Sequence, residues 1–395
     1  MRKGGIITYI IIAPVLAITA CTKPYNPTGI KSVTGYLVVE GVINANDSSK
    51  FQLSHTVTLT SDTTIAPVLG AQVTIEGNDN SSYPLTGNAS GIYSSASLSL
   101  NANSQYRLDI KTTDGKEYQS DYVSVKITPP IDTINYVIES NGLQINLNTH
   151  DPANNTRYYR WDYTETWEFH AKYFSAFVSN GDTVLYRQPA QQIYFCYTND
   201  NSTNILLGSS AELTQDVIST APITFIPSTS EKIETEYSIN VRQYALTNDA
   251  YNFWTNLKKN TEELGSIFDA LPSQINGNIH CLTNPNEPVV GYISASTIQS
   301  KRIFVNNTVL PATFVATYPY TCPLDSFLFV EKVGGIYINQ EDQVFNYNKG
   351  APKGGWVPLE QITSKQGVVL GHTGTDPECG DCSIRGSLIK PSFWQ

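Results

Sequence analysis

The sequence is short of charge, nearly without methionine, and has no apolar run long enough to cross a bilayer comfortably. Only 15% of its residues are charged and it holds a single Met. Lys plus Arg number 25 against 35 Asp plus Glu, a formal net charge of -10, which argues against nucleic acid as a partner. The sequence contains no Gly-x-Ser-x-Gly elbow, no His-Glu-x-x-His and no phosphate-cradling glycine loop. Its five histidines, His55, His150, His170, His280 and His372, are scattered and sit in no recognisable local motif. Internal repeats and coiled-coil heptads are also missing. These absences point away from catalysis, and no cofactor or metal is expected.

What is present begins at the amino terminus. Met1-Arg2-Lys3 is a short basic start, and Ile6 to Ile18 is apolar but broken by Thr8 and Pro14. A transmembrane helix needs roughly twenty apolar residues, so residues 1–20 read as a signal peptide instead. Ile18-Thr19-Ala20-Cys21 has the form of a lipobox, which predicts cleavage before Cys21 and lipidation of its thiol. Acyl chains hold a protein to a membrane through roughly 0.8 kcal/mol per buried methylene. Thr22 follows, not the Asp that retains many lipoproteins in the inner membrane, so the outer membrane is expected. Thr22-Lys23-Pro24-Tyr25-Asn26-Pro27 carries no acidic cluster for export to the outer leaflet.

The mature chain is long enough for two or three domains. Abundant Ser, Thr, Asn and Tyr suit strands and long polar loops more than helices. Residues 21–33 contain Pro24, Pro27 and Gly29 without apolar periodicity and read as a lipidated flexible tether. Strand patterns then come quickly: Tyr36 to Glu40, the alternation Phe51, Leu53, Val57, Leu59, then Ala71, Val73, Ile75, Gly91 to Tyr93, Tyr106 to Ile110, and Glu117 to Ser120. About seven strands in this span predict an immunoglobulin-like or transthyretin-like sandwich over 34–128. Pro129-Pro130 forms a seam, and 131–395 is expected as a larger, sandwich-like β-rich domain with a Cys-containing C-terminal segment. Within it, Ile134–Ile138 and Leu143–Leu147 predict a hairpin, and Tyr158–Phe169 a long aromatic strand. Further strands are expected near Ile193–Tyr197, Ile205–Leu207, Ile223–Ile226, Tyr237–Tyr244, Val289–Ala295 and Arg302–Val305. One amphipathic helix is expected near 248–264, because Ala250, Phe253, Trp254, Leu257, Thr261 and Leu264 recur at helical spacing between a Thr247 or Asn248 cap and Gly265.

Beyond Cys21 lie Cys196, Cys281, Cys322, Cys379 and Cys382. An odd count in an oxidising compartment predicts two disulfides and one spare thiol. Cys379-Gly380-Asp381-Cys382 admits a redox dithiol, half a metal site with His372, or a loop stapled to Cys322 or Cys281. The staple is preferred, because the surroundings lack a thioredoxin-like frame and structural zinc wants four good ligands. Trp161, Tyr163 and Trp167, with Asp162, Glu165 and Glu168 between and beside them, could present stacking rings to a sugar. On a strand, however, Asp162 and Glu165 face opposite ways, so the segment reads as sheet with a charged outer face. Asp62-Thr63-Thr64, Asp132-Thr133-Ile134 and Asp182-Thr183-Val184 match a short O-glycosylation pattern of some Gram-negative periplasms.

Several segments in fixed order resemble one family of bacterial outer-membrane lipoproteins, the domain-of-unknown-function family 4249. They include Cys21 with a following Pro-Tyr segment, Tyr36-Leu37-Val38-Val39-Glu40-Gly41, Gly70-Ala71-x-Val73 and Gly91-Ile92-Tyr93. Next come Tyr106-Arg107-Leu108, Trp161 to Trp167, and Tyr251-x-Phe253-Trp254 through Gly265-Ser266-Ile267-Phe268-Asp269. Pro272-Ser273, Gly277-Asn278-Ile279, Gly291-Tyr292-x-Ser294-Ala295-Ser296 and Lys301-Arg302-Ile303 follow, and then the terminal Cys379-Gly380-Asp381-Cys382 and Lys390-Pro391-Ser392-Phe393-Trp394. Ala270 stands where a second proline is frequent. The resemblance implies a location and no reaction, together with companionship to TonB-dependent outer-membrane transporters. Three functions follow as expectations: a non-catalytic accessory or substrate-binding partner of such a transporter, a surface glycan-binding or glycan-processing module using Trp161, Tyr163 or Trp167, and a structural envelope protein.

Overall fold

A computed structural model describes residues 35–57, 65–262, 277–318 and 320–394 of the chain. The signal peptide, Cys21, the tether, Asp62-Thr63-Thr64 and the expected helix end at Leu264 and Gly265 lie outside the described residues. The chain is mainly β, as its composition predicts.

In the N-terminal unit, Leu37–Asn44 pairs antiparallel with Lys50–His55, and Gln72–Gly77 lies between Ser82–Gly87 and Gln105–Lys111. Inward residues alternate along these strands and bury Leu37, Val39, Phe51, Leu53, Ile75, Tyr106 and Leu108 in one core. The expected open sandwich is replaced by a ring. From Gln105–Lys111 the hydrogen-bonded path runs through Gln72–Gly77, Ser82–Gly87, Ile92–Ser94, Lys50–His55, Leu37–Asn44, Ala295–Ser296 and Val123–Lys126, then returns to its start. Closure removes two open edges whose backbone groups would otherwise be left unpaired.

The segment that closes the ring comes from far along the chain. Ile279–Cys281 adds to Glu117–Ser120, and Ala295–Ser296 lies parallel to both Leu37–Asn44 and Val123–Lys126. This segment was expected in the larger domain. Backbone bonds carry the insertion: Val39 N donates to the Val290 carbonyl at 2.8 Å, Val290 N to Leu37 at 2.9 Å and Ile43 N to Ser294 at 2.9 Å. The approach is close enough to need glycine, since a Cβ on Gly291 would stand 2.3 Å from the Val39 oxygen and one on Gly277 1.8 Å from the Gly291 oxygen. Asn278 fixes the register, accepting from Ile293 N at 2.8 Å and donating to the Ile293 carbonyl at 2.9 Å.

The second unit is a sandwich. One sheet joins Ile131–Glu139, Gly142–His150 and Val217–Pro227; the other centres on Tyr158–His170, flanked by Phe195–Asn201, Leu206–Ser209 and Glu236–Leu246, with Ile298–Asn306 beyond. Their facing side chains form a second core containing Leu143, Ile145, Leu147, Tyr159, Phe169, Tyr237 and Ile239. Helix Asn248–Thr261 begins under a Thr247 hydroxyl that accepts from Ala250 N at 3.2 Å. It packs Ala250, Phe253 and Trp254 toward the junction of ring and sandwich, and Arg160 lies between the rings of Tyr244 and Trp254 at 4.4 and 4.5 Å. The proline seam is fixed from the sandwich side: the Gln243 amide donates to the Pro129 carbonyl at 2.8 Å and to the Thr149 hydroxyl at 2.9 Å.

A C-terminal module of Asp325–Leu328, Val357–Thr363 and Val369–Thr375 follows, with a small hairpin, Glu331–Val333 and Ile336–Ile338. His372 and Glu341 are buried inside it, Nδ1 and Oε1 lying 2.7 Å apart. Two short helices that periodicity did not predict, Gln340–Val344 and Pro377–Gly380, belong to this module.

Candidate functional site

The long strand Tyr158–His170 turns its odd-numbered side chains inward. Trp161, Tyr163 and Trp167 are therefore core residues, 2%, 9% and 8% exposed, and do not form the stacking platform expected of them. Trp161 lies parallel to Tyr159 and donates its indole N–H to Gln243 Oε1 at 2.8 Å, the same amide that holds the proline seam. Glu165 shares this inner face, opposite to Asp162 as strand geometry predicts, so the charge of the segment is not confined to the outer face. It accepts from the Tyr237 hydroxyl at 2.6 Å and pairs with Lys232, whose ammonium lies 5.0 Å from the Trp167 ring centre. Burial, reinforced by the Glu165 charge, pushes the Tyr237 phenol well above its ordinary pKa. Asp162 faces the other way, toward Arg242 and Tyr244.

The cysteines form the two disulfides that parity predicts, and Cys281 stays a buried free thiol. Cys379 joins Cys322, one of the two expected staples. Cys382 joins Cys196, 186 residues away, and not Cys281. The Cys379-Gly380-Asp381-Cys382 segment is thus pinned at both ends to different partners, once to its own module and once to the sandwich.

That second staple creates a cleft. On Phe195–Asn201, Cys196 points inward to its disulfide while the neighbouring Phe195 and Tyr197 point outward, as a strand requires. The disulfide and a two-way backbone bridge between Tyr197 and Ser387, both bonds 2.8 Å, bring Leu388 and Lys390 alongside. A third wall is the turn Pro189–Gln191 with its flanks Arg187 and Gln192, and Phe174 and Tyr194 complete the lining. The cleft is open and encloses about 630 Å³, within the roughly 300–1,000 Å³ of small-ligand sites.

Its apolar surface is exposed: Phe174 is 53% accessible, Phe195 49% and Leu388 47%. Tyr194 is braced from behind by His170, stacked at 4.9 Å, and meets Phe174 and Phe195 edge-on at 5.4 and 4.8 Å. The Tyr197 hydroxyl donates to Glu168 at 2.7 Å, and burial together with that carboxylate pushes its pKa up. Arg187 donates to the Ser175 hydroxyl at 3.0 and 3.3 Å, to the Phe177 carbonyl at 2.9 Å and to the Gln191 carbonyl at 3.0 Å. All three acceptors are neutral. Burial lowers the pKa of this guanidinium, opposed by the Asp381 carboxylate. Gln192 Oε1 is buried and accepts no hydrogen bond from the described residues.

The sequence marked none of the cleft residues as a ligand contact, although Ile193–Tyr197 reads as a strand and Lys390 opens a terminal family anchor. The alternation of Phe195 and Tyr197 around Cys196 was the available local cue. The approach of Leu388 depends on a disulfide partner that spacing does not reveal. Of the other predicted positions, His150 pairs with Asp132 at 2.7 Å and His280 with Asp121 at 3.1 Å, both at exposed sites far apart in the fold. Thr133 and Thr183, in the Asp-Thr segments, are exposed.

A model of the family described as Domain of unknown function (DUF4249) matches residues 22–302. The chain belongs to this family. The matched residues take in the ring, its returning segment and most of the sandwich, whereas the terminal Cys379–Cys382 and Lys390–Trp394 anchors lie beyond them. Within the matched residues, Ala295–Ser296 closes the ring, and Gly277-Asn278-Ile279 supports that closure through the Asn278 clamp on Ile293. No curated protein matches the chain. Among solved structures, a DUF4785 family protein from Legionella pneumophila is 12% identical over 52% of each chain, with a TM-score of 0.17. The chain thus spans about half the length of that protein. The adhesin InvE of Yersinia pseudotuberculosis is 15% identical over 50% of this chain and 60% of its own, with a TM-score of 0.13. At such scores neither likeness carries an argument about fold or function.

Proposed function

We propose that this DUF4249 member is a lipid-anchored protein of the bacterial outer membrane that serves as a non-catalytic accessory or substrate-binding partner of a TonB-dependent transporter. The open aromatic cleft carries the binding part of this reading: half-exposed rings gathered over one hollow form the kind of apolar patch that soluble surfaces otherwise avoid. Ile18-Thr19-Ala20-Cys21 supports the location, and the family resemblance supports the partner.

The test is purification of the native chain from detergent-solubilised membranes, followed by mass spectrometry. The expected result is a mature protein beginning at an acylated Cys21, together with a TonB-dependent barrel in stoichiometric amount. Absence of the barrel removes the accessory role, and an unmodified Cys21 removes the anchor. A second reading, glycan binding, is favoured by the same cleft, with Phe174, Tyr194 and Phe195 replacing the buried Trp161, Tyr163 and Trp167 as the rings a sugar would meet.

A further inference from the structure

The hairpin turns at 78–81, 112–116, 140–141 and 180–183 are built of Asn, Asp, Ser, Thr, Gly and Lys, as turns that face water should be. The hairpin of Glu331–Val333 and Ile336–Ile338 turns instead through Val333-Gly334-Gly335-Ile336-Tyr337. Gly334 and Gly335 both take positive φ, 61° and 91°, the two-residue turn whose twist matches its strands. A Cβ on either would meet nothing within 4 Å, so the tip projects from the body. Val330, Val333, Ile336 and Tyr337 are each more than half exposed, Ile336 by 70%.

Pairing sorts these side chains. Val333 lies opposite Ile336 on one face, and Lys332 lies opposite Tyr337 on the other, its ammonium 5.8 Å from the ring centre. The base is fixed by Gln340, whose amide donates to Glu331 and whose Oε1 accepts from Leu328 N at 2.8 Å. Glu331 and Lys332 are the charged residues of 329–338, and both precede the tip. Two aliphatic side chains at a tip, with a tyrosine hydroxyl and a lysine stem one residue behind, suit the boundary of a bilayer. The aliphatic groups leave water there while the hydroxyl and the ammonium reach back to it.

The choice of a bilayer over a protein surface rests on the reading of Cys21 as the lipidated residue. Residues 21 to 35 span at most about 50 Å, at about 3.6 Å per residue, so the body stays within that reach of the membrane. At such range a weak apolar contact acts at high effective concentration. A stable protein interface wants roughly 800 Å² from each partner, more than a two-residue tip supplies, whereas shallow insertion has no such minimum. With a net charge of -10, the chain gains nothing from anionic lipid, so the contact is apolar in kind.

We propose that the 331–338 hairpin is a second membrane contact, its Val333 and Ile336 tip seated at the headgroup and acyl boundary of the bilayer that holds the lipid anchor.

The full mature chain tests this in two forms, the acylated protein purified from native membranes and a Cys21→Ser form. Each is mixed with phosphatidylethanolamine–phosphatidylcholine vesicles carrying a photo-reactive acyl chain, and adducts are mapped by mass spectrometry. Adducts are expected on 330–338 in the acylated protein. Val333→Thr combined with Ile336→Thr keeps a β-branched residue at both positions, and so the hairpin. It is expected to weaken vesicle binding of the Cys21→Ser form about tenfold, with no dependence on salt. Acylated Cys21 without adducts on 330–338 overturns the proposal and leaves the anchor standing, whereas adducts there with an unmodified Cys21 sink the anchor and keep the contact. Equal binding by the double variant overturns the proposal, as does binding that needs anionic lipid. Sedimentation without lipid that shows dimers of the Cys21→Ser form, but not of its double variant, overturns it in favour of a contact between copies.

Discussion

The ring and the cleft solve the same problem, holding distant segments together, by different means. In the ring, a segment returning from residues 277–296 is captured by backbone ladders, two close-approach glycines and the Asn278 clamp, with Cys281 left unpaired among them. At the cleft, residues 382–390 are fixed against the sandwich edge by a covalent bond, by the bridge at Tyr197 and Ser387, by Cys382 N donating to the Ile193 carbonyl at 3.0 Å, and by an Arg385–Glu231 ion pair. A ring strand is buried and paired on both sides, so hydrogen bonds suffice to hold it. The cleft wall must leave Phe195 and Leu388 facing water, forgoing the burial that would otherwise hold it.

The largest test of this contrast is removal of the staple. Cys196→Ser combined with Cys382→Ser opens a loop closed over 186 residues and is expected to cost about 3–5 kcal/mol. Urea unfolding reads the loss, and limited proteolysis should place new cuts in 382–394 while residues 37–126 stay protected. Equal deprotection of the ring would erase the distinction between the two regions. Asn278→Ala is the converse experiment, leaving the buried N–H and carbonyl of Ile293 without partners. It is expected to cost about 2–6 kcal/mol, at about 1–3 kcal/mol for each of the two orphaned groups. Hydrogen exchange should rise in Leu37–Asn44 and in 290–296, with the cleft unchanged.

How far each region was legible in the sequence follows the same contrast. Alternation predicts local strands well: Tyr237–Tyr244 is found within Glu236–Leu246, and Glu117–Ser120 coincides with its strand. The Thr247-capped helix is likewise found where its period places it. Ring closure is not legible, because nothing near Ala295 says that its neighbour is Ile43, some 250 residues earlier. Gly277 and Gly291 mark a close approach without naming what is approached. In Tyr158–His170 the period is clear and separates Asp162 from Glu165, but it does not say which of the two is buried; only the Tyr237 and Lys232 partners explain how the Glu165 carboxylate sits inside. The cleft fails for the same reason as the ring, since a count of five cysteines predicts two bonds but not which residues they bring together.

The smallest effect concerns the charge on the returning segment. Glu287 accepts from Lys116 Nζ at 2.8 and 3.0 Å and from the Tyr118 hydroxyl at 2.8 Å, tying residues 277–296 to Glu117–Ser120, the strand beside the ring that they extend. Burial raises its pKa, but the bonds from Lys116 and Tyr118 outweigh that and leave it below the ordinary value of 4.5. A carboxyl whose folded pKa is depressed contributes stability that is fully present above its unfolded pKa and is lost as pH falls through the folded one. Glu287→Gln should therefore lower the melting temperature at neutral pH by an amount equivalent to about 1 kcal/mol, kept small because Lys116 is partly exposed. The gap to the wild type should narrow below about pH 4.5 and close once the wild-type carboxyl is itself protonated. A gap that stays constant from pH 7 to pH 3 would mean that the ionised carboxylate does not hold the returning segment, and the ring would then rest on its backbone ladder and Asn278 alone.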